Sequence, residues 1–173
     1  SRFQLVAAMN PCPCGNYGSR ITPCRCTAQQ IQRYRNRISG PMLDRIDIHI
    51  EMGEVGYNDI AGRSCGEPSS AIRARVNAAR AIQTRRYAGT GILFNAQLTN
   101  RMMNQYCVLT SDAESLMKKA FASLKLSARA YTRLLKVSRT IADLAGSEQI
   151  KAEHIAEAIQ YRSLESKYWG EIR

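Results

Sequence analysis

SARAYTRLLKVSRTIADLAG, residues 127–146, sets Ala130, Leu134, Val137, Ile141 and Leu144 three or four positions apart. That interval lines apolar side chains along one stripe of an α-helix. Ser127 offers the hydroxyl an N-cap needs, and Gly146 marks where the helix has to stop. A helix with one apolar stripe is stable only when neighbours cover it.

Candidate neighbours lie on both sides. Ser111-x-x-Glu114 has the form of a capping box, and Leu116, Met117, Ala120, Phe121 and Leu124 behind it face inward. Residues 152–163 make a last helix buried through Ile155 and Ile159. Upstream, Ser69 or Ser70 caps a helix with Ile72, Val76, Ala79 and Ile82 on its apolar side. The same helix carries Arg73, Arg75, Arg80, Arg85 and Arg86. A less regular helical stretch covers 96–106. Together these predict a small all-α bundle over residues 69–173.

The composition changes before it. Residues 53–68 hold four glycines and a proline without periodicity, which reads as a linker and a domain boundary. Residues 1–52 read as mixed α and β. FQLVAAM at 3–9 is an apolar run of strand length, ended by Asn10-Pro11. RIDIHIEM at 45–52 alternates, with Ile46, Ile48 and Ile50 on one side and Asp47, His49 and Glu51 on the other. Thr27 and Gln30 form a capping box before Ile31, Tyr34 and Ile38, with Arg33, Arg35 and Arg37 among them. Ser39-Gly40-Pro41 closes that helix.

Four cysteines fall between the first strand and this basic helix. Cys12-x-Cys14, nine residues, then Cys24-x-Cys26 is a two-pair layout that suits a four-thiolate zinc site. Free thiols without metal, or two local disulfides, are the alternatives. A complete set of four thiolates leaves no open position, so a zinc ion here is structural. Cys65 and Cys107 have no partners at ligand spacing, and His49 and His154 read as structural.

The 173 residues include 25 Lys+Arg against 14 Asp+Glu, a formal net charge of +11. That balance favours a polyanionic partner, against the alternative of a basic but inert surface. No apolar run approaches the roughly 20 residues of a membrane span. The opening Ser1-Arg2-Phe3-Gln4-Leu5 has no signal-peptide pattern and reads as a start inside a larger protein. Six cysteines in an unsecreted chain, expected to be cytoplasmic, argue against a disulfide framework, and in a reducing compartment clustered cysteines more often bind metal.

LVAAMNPCPCG, CRCTAQQIQRYRNRISGPMLDRIDIHIE and LSARAYTRLLKVSRTIADL, in this order, resemble the C-terminal half of ComM/YifB proteins, which are magnesium-chelatase-like AAA+ ATPases. The resemblance covers nearly the whole chain. It implies the last two strands of an AAA+ α/β core followed by a helical lid, predominantly helical overall. It implies ATP with Mg2+, a ring that is expected to be hexameric, and DNA handled by branch migration during natural transformation. There is no G-x-x-x-x-G-K-[ST] loop and no acidic Walker B run in these residues. Both are expected before Ser1, and the 173 residues alone are expected to be inactive.

The resemblance also assigns roles. Asn10 matches sensor 1, where an amide orients the attacking water; otherwise it is a strand-ending cap. Arg45 in LDRID matches the arginine finger that reaches a neighbouring subunit's ATP; otherwise it pairs with Asp44 or Asp47. Arg129 matches sensor 2 in the lid; otherwise it joins Arg133 and Lys136 on a solvated basic face. With the phosphate-loop strand missing between them, the two strands are expected to be rearranged, swapped with another copy or paired directly. Two other functions stay open: a zinc-containing nucleic-acid-binding module without ATPase activity, and a metal-insertion subunit of the magnesium-chelatase type.

Overall fold

The computed structural model describes residues 3–55, 61 and 66–162. Among them are seven α-helices: α1 (Ala28–Arg35), α2 (Gly40–Leu43), α3 (Ser69–Arg86), α4 (Asn100–Tyr106), α5 (Ser111–Ser123), α6 (Ala128–Leu144) and α7 (Ala152–Gln160), with a 3-10 turn at Asn95–Gln97. The chain is predominantly helical, as expected for a lid.

α6 is the centre of the bundle. Ser127 caps it by accepting from the Ala130 N–H. At its far end Gly146 takes φ +67°, the Ser147 N–H reaches the Ala142 carbonyl at 2.8 Å, and the Gly146 N–H reaches the Asp143 carbonyl at 3.1 Å. This crossed pair of bonds satisfies carbonyls that the helix leaves open. Leu134 and Ile141 are buried as the spacing requires, and Leu135 and Ala142 widen the stripe. They pack with Met103, Met117, Ile150, Ile155, Leu98 and Tyr87 in one core. Leu144, expected inward, is exposed.

Two caps differ from the sequence expectation by one residue. α5 is capped by Thr110, which accepts from the Ala113 N–H, and Ser111 is already helical. α3 follows Pro68 with no side-chain cap, since proline's fixed φ prepares the helix start. The first half of α3 also departs from expectation. Ile72 and Val76 are exposed, and burial begins only at Ala79 and Gln83, where α3 reaches α6. Phe121 and Leu124 of α5 are exposed as well.

The strands expected at 3–9 and 46–51 do not form. The described residues contain one isolated parallel bridge, between Leu109 and Ile150, and no ladder. A strand needs a partner to take up its N–H and C=O groups. None of the described residues supplies one, and the two segments do not pair with each other. Val6 and Met52 are each 85% exposed in consequence. Residues 44–49 instead lie on the helical bundle. The His49 N–H donates to the Tyr161 carbonyl at 2.8 Å, and buried Arg162 reaches the Ile46 carbonyl at 3.3 Å and Asp44 at 3.4 Å.

Candidate functional site

The cysteine loop folds on itself through a tight turn. The Gly15 N–H returns to the Cys12 carbonyl at 3.0 Å, and Gly15 takes φ +83°, a conformation that other residues rarely hold. Cys12 and Cys14 come together on this turn, and Cys24 and Cys26 arrive from the run into α1. The Sγ atoms of Cys12 and Cys14 are 3.4 Å apart, those of Cys12 and Cys24 3.7 Å, and those of Cys14 and Cys24 3.6 Å. All four sulfurs lie within 4.8 Å of one another.

A tetrahedron with metal–sulfur bonds near 2.3 Å has edges of about 3.8 Å. The observed separations match that scale and are far longer than a disulfide bond of about 2.05 Å. The donor set therefore fits a soft divalent cation such as zinc. Backbone hydrogen bonds at Asn16 and Arg25 bring the Cys14 thiol down to about 6. Burial pushes Cys26 up to about 12. At Cys24 a backbone bond at Cys26 lowers the value, but burial and the Cys14 and Cys12 thiols outweigh it and the net shift is upward. Four sulfurs this close can all ionise only around a cation, because like charges oppose one another.

α1 is fastened to the loop by a residue that sequence reasoning left among the general basic charge. Arg35 Nε donates to the Pro11 carbonyl at 3.4 Å, and its guanidinium lies 4.6 Å over the Tyr17 ring. The Thr27–Gln30 capping box forms as expected, and Ile31 is the buried anchor of the helix.

The three positions matched to nucleotide chemistry, Asn10, Arg45 and Arg129, are not among the four cysteines that could hold a metal. Asn10 is exposed and sits beside Gly15, whose missing Cβ would stand 3.8 Å from the Asn10 amide nitrogen. Arg45 is exposed just after α2, and its guanidinium donates to the Pro41 carbonyl at 2.5 Å. Among the described residues no ion pair joins Arg45 to Asp44 or Asp47: Asp44 pairs with Arg162 at 3.4 Å, and Asp47 with Arg133. Arg129 is exposed in the first turn of α6. The two basic residues after it on that face are engaged, Arg133 with Asp47 and Lys136 with the Ala96 carbonyl at 3.1 Å.

A polar cluster with little trace in the sequence holds α3 against α6. The Asp143 side chain is fully buried and receives two bonds from Arg86, at 2.9 and 2.5 Å, one from Arg139 Nε at 3.1 Å and one from Asn95 Nδ2 at 2.9 Å. The Tyr87 hydroxyl donates to Asn95 at 2.5 Å. Arg139 also caps the chain after α6, donating to the carbonyls of Glu148 at 2.7 Å and Ser147 at 2.5 Å. The only available hint was the i,i+4 spacing of Arg139 and Asp143, which on most helices is a solvated pair. Burial pushes the Cys107 thiol up to about 11, so it stays protonated and packs as an apolar group. Cys65 lies outside the described residues. None of the described helices is long and apolar enough to cross a membrane.

Comparison with known proteins matches residues 1–60 to the family model for magnesium chelatase, subunit ChlI, and residues 66–162 to that for its C-terminal region. Competence protein ComM of Haemophilus influenzae is 46% identical over 95% of the chain, which covers 31% of that protein. Proteins called YifB from Salmonella typhimurium and Escherichia coli are 42% and 41% identical, again over 95% of the chain and 32% of theirs. The chain thus spans about a third of the length of these relatives.

Proposed function

The chain belongs to the ComM/YifB-like, magnesium-chelatase-like family, and from that membership we propose that it is the C-terminal portion of a ring-forming AAA+ ATPase that couples ATP hydrolysis to DNA handling. The observation that carries the reading is the 46% identity to a competence protein over 95% of the chain. The phosphate-cradling loop and the Mg2+-binding carboxylates come, in this reading, from the rest of the protein.

Each named residue then has one task. Asn10 orients the attacking water beside the γ-phosphate as sensor 1. Arg45 reaches the ATP of the neighbouring subunit, where a planar permanent charge suits the spreading phosphoryl charge. Arg129, exposed in the first turn of α6, answers to nucleotide from the lid as sensor 2. Cys12, Cys14, Cys24 and Cys26 hold a zinc ion that closes the loop between Asn10 and α1. The assembly is a ring, read as hexameric, working on DNA in the cytoplasm.

One observation favours a second reading. The four-thiolate loop and the arginines of α1 adjoin, as in a zinc module that binds nucleic acid without ATP. Insertion of metal into a porphyrin comes only with the family's description. Turnover of the full-length protein with and without branched DNA, measured together with binding of that DNA, separates them. Stimulated ATP hydrolysis supports the motor. DNA binding with no hydrolysis favours the zinc module, and neither activity overturns both.

A further inference from the structure

Residues 1–43 contain six arginines and neither aspartate nor glutamate; Asp44 is the first acid in the chain. The structure gathers half of this charge in one place. A groove of about 650 Å³ runs between the cysteine loop and α1, lined by Arg25, Gln30, Arg33, Tyr34 and Arg37 beside Cys14 and Cys26. A smaller cleft of about 350 Å³ adjoins it along α1, and Arg33 and Arg37 line that one too, with amide side chains around them. No carboxylate lines either space. Among the described residues no ion pair engages Arg25, Arg33 or Arg37, while Arg35 is turned onto Pro11 and Tyr17.

Arg33 and Arg37, four residues apart, therefore form a ridge of positive charge between two polar clefts. Charges spread along a ridge suit a chain of phosphates better than a single one. The amides can meet base edges, and the partly open Tyr34 ring, 6.0 Å from the Arg37 guanidinium, offers a face for an unpaired base. We propose that this groove binds a single strand of DNA, with Arg33 and Arg37 on successive phosphates, Arg25 flanking them and Tyr34 beneath a base. The proposal deepens the DNA-handling reading and rests on it. It gives the cysteine loop a purpose, since a closed loop fixes one wall of the groove.

The test uses full-length protein with a non-hydrolysable ATP analogue and a labelled oligothymidine, read by fluorescence anisotropy over a range of salt. On single strands each lost phosphate contact removes about 0.7 from the salt slope, so R33A/R37A is expected to bind about 25-fold more weakly near 0.1 M salt, with a slope shallower by about 1.4. R33K/R37K, which keeps the charge, retains most of the affinity. R73A/R85A removes the same charge from α3 and changes affinity less than about threefold. Equal losses in the two alanine pairs, or no loss in R33A/R37A, overturn the groove. An equal loss on duplex DNA overturns the single-strand assignment. Wild-type protein that binds no DNA overturns the DNA-handling reading itself, and the groove with it.

Discussion

Arg86 and Asp143, 57 residues apart in sequence, meet through two hydrogen bonds that join α3 to α6. Asp143 is buried, so removing its charge strands Arg139 in the core as well as Arg86. Breaking a buried ionic cluster from one side costs about 3–5 kcal/mol. Asp143→Ala is therefore expected to lower the urea midpoint of the bundle sharply. Arg75→Ala, which removes an exposed pair with Glu67, changes the stability by less than about 1 kcal/mol and the midpoint correspondingly little. A small effect at Asp143 would mean that the cluster contributes little to the fold.

Zinc is expected at about one ion per chain in protein purified under reducing conditions, the stoichiometry of a four-thiolate site. Cys14→Ser and Cys26→Ser should each lose most of it, while Cys107→Ser, buried in the bundle, should keep it. Elemental analysis of the three variants decides the matter. Full occupancy without Cys26 would reject the four-ligand assignment.

In full-length protein, Arg45→Ala should cut ATP turnover at least about 10³-fold, the low end for loss of an arginine finger. ATP binding should stay near normal. Mixing this variant with a Walker B variant should restore part of the turnover, because some interfaces then pair an intact finger with an intact pocket. Loss of nucleotide binding by Arg45→Ala would make the residue structural.

Stability of the bundle should fall on mild acidification. Burial holds the His154 imidazole below its ordinary 6.5, and its Nδ1 accepts from the Lys151 N–H. The unfolded chain therefore takes up this proton first. The contribution is complete above the unfolded value and is lost as pH drops from there toward the folded one. Urea midpoints at about pH 7.5 and about pH 5.5 should show the drop, and His154→Gln should reduce it. An identical pH dependence in the variant would assign the effect to other groups.

The 173 residues alone are expected not to hydrolyse ATP, since they contain no G-x-x-x-x-G-K-[ST] loop to grip the β- and γ-phosphates. Saturable turnover by the pure chain would reveal a phosphate site elsewhere.

What could be read from sequence followed the range of the signal. The stripe from Ala130 to Ile141 repeats at a fixed interval, and the cysteines announce themselves by spacing, so both were visible locally. Asp143 was not, because a charge on a helix shows nothing of its burial. The contact of Asp44 with Arg162 spans 118 residues and leaves no local trace. FQLVAAM and RIDIHIEM carry strand patterns, yet a pattern supplies no partner, and no ladder forms on them among the described residues. The sequence also overstated the inward face of α3, where Ile72 and Val76 repeat correctly but stay exposed, and burial begins at Ala79.

Arg45 stands between two carboxylates, and both are held by the helical bundle: Asp44 by Arg162 just beyond α7, and Asp47 by Arg133 on α6. The backbone bond from His49 to Tyr161 adds a third attachment. Arg133 is also one helical turn from Arg129, so the two arginines ride on the same rod. If Arg129 senses the nucleotide of its own subunit and Arg45 reaches that of the next, as proposed, a tilt of that rod would displace Arg45 in the same stroke. The short segment would then work as a crank, turning occupancy at one ATP site into the reach of a charge at the next.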